Sequence, residues 1–383
     1  VSVLLKKPLF EGVSNRELAQ QLEARKKCEK KLPTWFGRPN IYYPHKLKIE
    51  QTSSEITARY KSRIVSGKTL ADTTGGFGVD SYFFGQKMEQ IVHCEIDENL
   101  SQIAAHNFEV LGTGNIKTIP TDGMEFLRDS DMRFGWIYLD PSRRSYSKGK
   151  VFRLSECRPN ILDNLELLFA KSDNVLLKTS PLLDFSIGIA ELRFVKDIHV
   201  IAIKNEVKEL LWVLRKGYSG EITVKTINFS TARASPVHLA KTRAETFDFS
   251  LSEEKEAVAQ YAPPLSYLYE PNAAVLKSGA FKTIGNRFGL KKLHEHTHLY
   301  TSAELIDFPG RRFEVKKCMA FNKKAIQNLS VSQANITTRN FPQSVAQLRG
   351  KFKIGEGGII YLFFATDLNG DYIVLNCSKL KNC

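Results

Sequence analysis

From residue 69 onward, short apolar runs that each stop on a polar residue alternate with helical stretches, and that rhythm admits few folds. Strands are expected over 69–72, 90–95, 116–121, 136–140, 174–179 and 195–203. Short strands separated by helices imply a mostly parallel sheet covered on both faces, an α/β, doubly wound, Rossmann-like domain. The next apolar run, with Leu210, Leu211, Trp212 and Leu214, reads as a helix, and 222–229 as a strand able to close the sheet as an antiparallel edge.

The flanks read differently. Ser14 and Glu17 have the spacing of a capping box, with Val13 placed to pack on Leu18, so a helix opens there and runs to Lys31, where Pro33 stops it. A second box at 52–55 starts a helix through Tyr60 that ends near Gly67. One strand is expected near 246–251. Beyond Pro263-Pro264 come smaller units: a strand at 267–269, a helix over 272–287, a strand over 293–300, and a break at Phe308-Pro309-Gly310. The last segment offers a strand over 312–319, two short helices near 321–329 and 342–350, and a hairpin of 358–366 with 372–377 about Asn369-Gly370.

Ligands of a doubly wound sheet lie outside the carboxyl ends of its strands, so those ends carry the functional reading. The first strand ends at Asp72 and runs into Thr74, Gly75, Gly76 and Gly78; the second ends at Glu95 and Asp97. The third ends at Asp122-Gly123, the fourth at Asp140-Pro141-Ser142-Arg143-Arg144, and the fifth at Lys178. The glycine turn brings bare backbone close to a nucleotide. A carboxylate at Asp72 would repel a pyrophosphate and attract an ammonium, and Gly76-Phe77-Gly78-Val79-Asp80-Ser81 lacks the third glycine of the dinucleotide fingerprint. S-adenosylmethionine supplies an ammonium. For that ligand Glu95 is expected to accept from both ribose hydroxyls and Asp122 from the adenine amino group, while Asp97 and Asp122 could each serve instead as a helix cap.

The net charge of +14 is concentrated at the ends. Residues 1–50 hold 11 Lys and Arg against 5 Asp and Glu, residues 310–383 hold 12 against 4, and the middle is neutral. A neutral centre with basic ends suits a polyanionic partner, RNA or DNA, although solvated lysines give the same pattern. Arg311 and Arg312, with Lys316 and Lys317, are the residues expected to grip it. The six cysteines are scattered without a C-x-x-C pair, so neither a disulfide framework nor a cysteine zinc site is expected. With no membrane-length apolar run and no signal-peptide layout, a cytoplasmic location is expected. His294, His296 and His298 alternate on the expected strand, where a polar sheet face outweighs a metal site.

These motifs resemble a known family. Asp72-x-x-Gly-Gly-x-Gly, Glu95, Asp122 and Asp140-Pro-x-Arg, in that order, resemble class I S-adenosylmethionine-dependent methyltransferases. The segments from Gln51 to Lys61, Asp72 to Ser81, Asp140 to Arg144 and Lys178 to Asp184 are similar to a bacterial methyltransferase family with a ferredoxin-like segment and a THUMP-like C-terminal domain. The resemblance implies an N-terminal helical segment at 1–66, the methyltransferase domain at 67–262, the ferredoxin-like segment at 263–308 and the THUMP-like domain at 309–383. It implies S-adenosyl-L-methionine as cofactor and RNA as partner. In amino-methyltransferases with a similar Asp/Asn-Pro-Pro-aromatic motif, the first side chain and the proline carbonyl accept from a target amine and the aromatic stacks on the base. Here Ser142 stands in for the second proline and Arg143 for the aromatic, so Asp140, Pro141, Ser142 and Arg143 are the expected catalytic set, with Arg144 and Lys178 near substrate. An exocyclic base amine is the expected acceptor. A DNA or protein substrate, or a binding module with a degenerate catalytic domain, stay open as alternatives.

Overall fold

The computed structural model describes residues 10–143, 153–230 and 244–380. Two units divide it, one of residues 1–222 with 229–244 and one of residues 223–228 with 245–383.

The first unit opens with α1 (Asn15–Lys31), α2 (Pro33–Gly37), α3 (Lys46–Gln51) and α4 (Glu55–Lys61). Ser14 caps α1 by accepting from the Glu17 backbone, but the Glu17 carboxylate accepts from the Tyr42 hydroxyl, so only half of the expected capping box forms. The α1 helix docks through Ala24 and Cys28, which join Trp35, Phe77, Val79, Phe83, Leu100 and Ile103 in one buried cluster. The sheet region then runs β1 (Thr69–Asp72), α5 (Val79–Gly85), β2 (Gln90–Cys94), α6 (Glu98–Leu111), β3 (Ile116–Ile119), α7 (Gly123–Asp129) and β4 (Trp136–Leu139). A small ribbon of β5 (Ser142–Arg143) with β6 (Cys157–Arg158) precedes α8 (Ile161–Lys171), β7 (Asn174–Thr179), α9 (Phe185–Glu191), β8 (Val195–Ile203) and β9 (Glu206–Arg215).

Within this unit the strands lie in the order β8-β9-β7-β4-β1-β2-β3. From β7 to β3 every neighbour is parallel, while β9 runs antiparallel to both β7 and β8. The segment around Trp212, read from sequence as a helix, is therefore a strand. Leu210 to Leu214 are buried without interruption, as in a strand covered on both faces, and such a run has no period by which sequence could separate the two states.

The second unit contains β10 (Thr223–Phe229), β11 (Ala244–Ser250), α10 (Leu251–Glu256), β12 (Tyr267–Pro271), α11 (Ala273–Ser278), α12 (Thr283–Arg287), β13 (Lys291–Lys292) and β14 (Tyr300–Ser302). It ends with β15 (Gly310–Ala320), α13 (Lys323–Gln327), β16 (Gln333–Arg339), α14 (Val345–Phe352), β17 (Gly355–Thr366) and β18 (Tyr372–Lys379). The expected helix over 272–287 is two short ones, because Gly279 takes φ +81° and ends the first. The expected strand over 293–300 is mostly a turn: Thr297 N–H donates to the His294 carbonyl, and His298 sits at φ +51° with its ring stacked 3.7 Å from that of Phe281. The three histidines therefore do not share a strand face. Strand β16, missed in the sequence, pairs in parallel with β17. The seven-stranded order β13-β14-β12-β15-β18-β17-β16 makes one continuous sheet across the Pro309-Gly310 break.

Gly123 packs so tightly that a Cβ there would lie 2.2 Å from the Thr73 carbonyl oxygen, whereas Gly114 has nothing within 4 Å of that position. Gly123→Ala should lower unfolding stability by about 1–3 kcal/mol, the scale of a forced overpacking, and Gly114→Ala should change it by less than about 0.5 kcal/mol. Denaturant titrations of the two variants measure the difference; equal midpoints would contradict the packing.

Candidate active site

Strand ends β1, β2, β4 and β7 and the glycine turn after β1 assemble one site. The turn is fixed by backbone bonds: Gly75 N–H donates to the Cys94 carbonyl at 2.8 Å and Gly78 N–H to that of Gly75 at 3.0 Å. A Cβ on Gly75 would fall 2.1 Å from the His93 ring, so only glycine lets the turn lie down on β2. Gly76 and Gly78 take φ of +58° and +84°. Thr74 Oγ1 accepts from the Asp140 backbone N–H at 2.6 Å, tying the turn to the end of β4.

Asp72 is sealed beneath the turn at 1% exposure. Its Oδ2 accepts from Ser81 Oγ at 2.6 Å and its Oδ1 from Thr74 N–H at 3.2 Å, while Ser81 Oγ also lies 2.9 Å from His93 Nδ1. Burial pushes the Asp72 carboxyl up to about 7 against the opposing bond from Ser81, and burial pushes His93 down to about 4. Asp72 thus braces the turn from below.

Glu95 is half-buried at the end of β2; its Oε2 accepts from Gly76 N–H at 2.8 Å and its Oε1 from Asp97 N–H at 2.9 Å. Asp97 and Asp122 cap α6 and α7, Asp122 accepting from Met124 N–H at 2.7 Å.

Under the end of β4 lies a cluster of charges that the sequence reading did not assemble. Lys61 is fully buried, and its Nζ donates to Ser53 Oγ at 2.7 Å, to the Asp80 carboxylate at 2.9 Å and to Glu209 Oε2 at 3.4 Å. Asp80 Oδ2 also accepts from the Tyr138 hydroxyl and Ser53 Oγ, each at 2.8 Å. Glu209 Oε2 reaches a second cation, Lys178 Nζ, at 3.9 Å, and Lys178 donates to Asp140 Oδ2 in a short ion pair. Two lysines and three carboxylates thus run from the interior to the cleft, where the side chain of Lys178 is 13% exposed and that of Asp140 32%. Burial favours neutral lysine, but Asp140, Glu209 and Asp80 together hold Lys178 protonated with its pKa raised. Burial alone would raise Asp80; the charges of Lys61 and Lys178 bring it below the usual carboxylate range, while Glu209 remains raised by burial. Lys61 and Asp80 stand in the motifs quoted above, and Glu209 was hidden in the segment misread as a helix.

Ser142 and Arg143 pair through their backbones with Arg158 and Cys157 in the β5–β6 ribbon. That ribbon brings a cysteine opposite the motif, but Cys157 is fully buried, which keeps its thiol from a base in the cleft. Arg144 lies outside the described residues. Arg311 and Arg312 belong to the second unit: Arg311 pairs with buried Glu270, which Arg339 also contacts at 2.7 Å, and nearly buried Arg312 reaches Asp307 at 3.2 Å. No described helix is long and apolar enough to cross a membrane, and no group of three or more metal-binding side chains gathers among the described residues.

Two family models match the chain, a ferredoxin-like domain over residues 267–309 and a THUMP-domain-like module over residues 310–379. A "putative methyltransferase" from Porphyromonas gingivalis W83, a solved structure, is 30% identical and superposes with a TM-score of 0.87 over 99% of this chain and 94% of its own. Partial resemblances include the Escherichia coli "putative methyltransferase" yhhF, 16% identical over 42% of this chain and 84% of that one with a TM-score of 0.32. TrmK from M. capricolum, solved with S-adenosyl-homocysteine, is 17% identical over 43% of this chain and 70% of that one with a TM-score of 0.33. No curated protein matches the sequence.

The Asp72 and His93 shifts have opposite signs in stability. His93 stays neutral in the fold but protonates when unfolded below about pH 6.5, so its contribution is lost as pH falls toward 4. Asp72 stays protonated in the fold to about pH 7 but ionises when unfolded above about pH 4, so its contribution is full below that point and lost as pH rises to 7. Asp72→Asn should unmask His93: relative to wild type, the variant should gain stability with rising pH between about 4 and 6.5, by up to about 1.4 kcal/mol per unit. Urea unfolding across that window tests it, and parallel pH curves for the two proteins would refute the shift.

Proposed function

The chain belongs to the family of the Porphyromonas gingivalis protein, a methyltransferase-fold family with a ferredoxin-like segment and a THUMP-like C-terminal module, and on that premise we propose that it transfers a methyl group from S-adenosylmethionine to RNA. The observation that carries the reading is the pairing of a Cβ-free turn with a carboxylate at the end of the neighbouring strand. Gly75 leaves room for backbone alone above His93, and Glu95 holds the turn through Gly76 while still half-exposed. A nucleoside seated on that turn meets bare peptide and an acceptor for its ribose hydroxyls.

Thr74, Gly75, Gly76, Gly78, Glu95, Asp122 and Gly123 are the proposed cofactor residues, with Asp72 supporting them from beneath. The donor, when bound, supplies a methyl group on a positively charged sulfur. Asp140, tied to the turn through Thr74, then faces the acceptor, and the β5–β6 ribbon holds Ser142 and Arg143 beside it. An exocyclic amine, the acceptor expected from the sequence, would use Asp140 and the Pro141 carbonyl; the ion pair to Lys178 bears on that choice. RNA as partner is supported by the THUMP-like module, by the basic ends, and by a cleft along α1 in which Arg16, Lys26, Lys27, Lys30 and Lys46 outnumber Glu23 and Glu29, with Lys27 and Lys46 paired to Glu50 and Glu23. Arg311 and Arg312 are a weaker part of that proposal, since their guanidinium groups are engaged by carboxylates.

Titration calorimetry is expected to show micromolar or tighter binding of S-adenosylmethionine and none of NAD. Glu95→Ala should weaken the former by about 2–4 kcal/mol, the scale of two charge-assisted hydrogen bonds. Equal affinity in wild type and variant would move the nucleoside elsewhere. RNA binding by the full chain should fall steeply with salt, as counterion release requires; a flat salt response would remove RNA as partner.

A further inference from the structure

The cleft end of the charge cluster offers one acceptor and one cation. Asp140 Oδ2 is taken by Lys178, and the charges of Asp140, then of Glu209 and Asp80 behind it, hold Lys178 in its ammonium form against burial. This donor set discriminates between acceptor chemistries.

An exocyclic amine attacks as a neutral group and becomes cationic as it takes the methyl. It benefits from hydrogen-bond acceptors, and an ammonium next to the developing positive charge is repulsive. An alcohol has the opposite need. Its oxygen is a weak nucleophile until the proton begins to leave, so negative charge gathers on oxygen and a fixed ammonium stabilises it, while a carboxylate takes the proton. Asp140 and Lys178 are that pair, held side by side by an ion pair and braced from within by Glu209 and Lys61. Standard bases carry no alcohol, whereas the ribose 2′-hydroxyl recurs along RNA and is absent from DNA.

Building on the reading of the chain as an RNA methyltransferase, we infer that the acceptor is the ribose 2′-hydroxyl, with Asp140 receiving its proton and Lys178 holding its oxygen. The step balances within the site. The hydroxyl oxygen forms the new O–C bond, the C–S bond breaks with its electron pair remaining on sulfur, and the displaced proton passes to the Asp140 carboxylate, which is exposed enough to release it to water. Lys178 changes neither charge nor bonding. Lys61 and Glu209 act as positioning residues: Glu209, shared by both lysines, keeps the Lys178 ammonium under the reacting oxygen.

The test uses the full chain with methyl-labelled S-adenosylmethionine and total RNA from cells lacking the gene, followed by digestion to nucleosides and mass spectrometry. Label in 2′-O-methylnucleosides, carried in linkages that resist alkali, is the expected result. Label in base-methylated nucleosides would overturn the inference while leaving RNA methylation intact. Absence of label from RNA, with S-adenosylmethionine bound, would overturn both. Lys178→Met should slow transfer by about a hundredfold or more, the cost of losing a preorganised charge-stabilising donor, with cofactor affinity by calorimetry within about twofold of wild type, and Lys178→Arg should recover part of the rate because it restores a cation. A Lys178→Met rate equal to wild type would also refute the inference.

Discussion

Glu209 Oε2 lies between two lysine ammonium groups, 3.4 Å from Lys61 and 3.9 Å from Lys178, and the arrangement of the site depends on that carboxylate. A buried lysine is tolerable only when its charge is matched and its protons are placed; removing one member of such a pair costs on the order of 3–5 kcal/mol. Lys61 meets the requirement with Asp80, Ser53 and Glu209, and Asp80 in turn fixes the Tyr138 hydroxyl. The polar chain therefore joins α4, α5, β4, β7 and β9 beneath the cleft, and the side chains that reach the surface inherit positions set from within.

Much of the first unit could be read from the sequence because its strands are short, apolar and bounded by turn residues. The five parallel strands fall where the apolar runs stand. The failure at β9 has a physical cause: Leu210 to Leu214 are buried on every side, so the alternation that marks a half-exposed strand is missing. The small strands of the second unit were obscured in another way. Lys291–Lys292 and Tyr300–Ser302 are separated by a turn that His298 enters at positive φ, a conformation uncommon for any residue but glycine even though histidine adopts it more often than most.

The strand-end acids were legible as a set, but their individual duties were not. Asp72 looks from sequence like a group facing the ligand, yet it is 1% exposed and occupied by Ser81 and Thr74, which only the burial of β1 could reveal. Asp122 is the N-cap of α7, one of the two duties its position allowed. Lys178 was legible as a strand-end residue near substrate, but not its ion pairs to Asp140 and Glu209, residues far away along the chain. Long-range charge pairing is a property of topology, and local pattern carries no record of it.

The antiparallel insertion of β9 between β7 and β8 also orders the assembly of the molecule in time. Lys61, Asp80, Asp140 and Lys178 are all synthesised before Glu209, so a nascent chain that has just completed β7 holds two lysines bound for the interior without the carboxylate they share. Only when the β8–β9 hairpin turns back and slides its second strand beside β7 is that imbalance resolved. Among the strands of the first unit the one that closes the middle is thus the last to be made, and a fragment ending before residue 206 contains every motif of the glycine turn and of Asp140 but lacks the brace that holds the cleft in order.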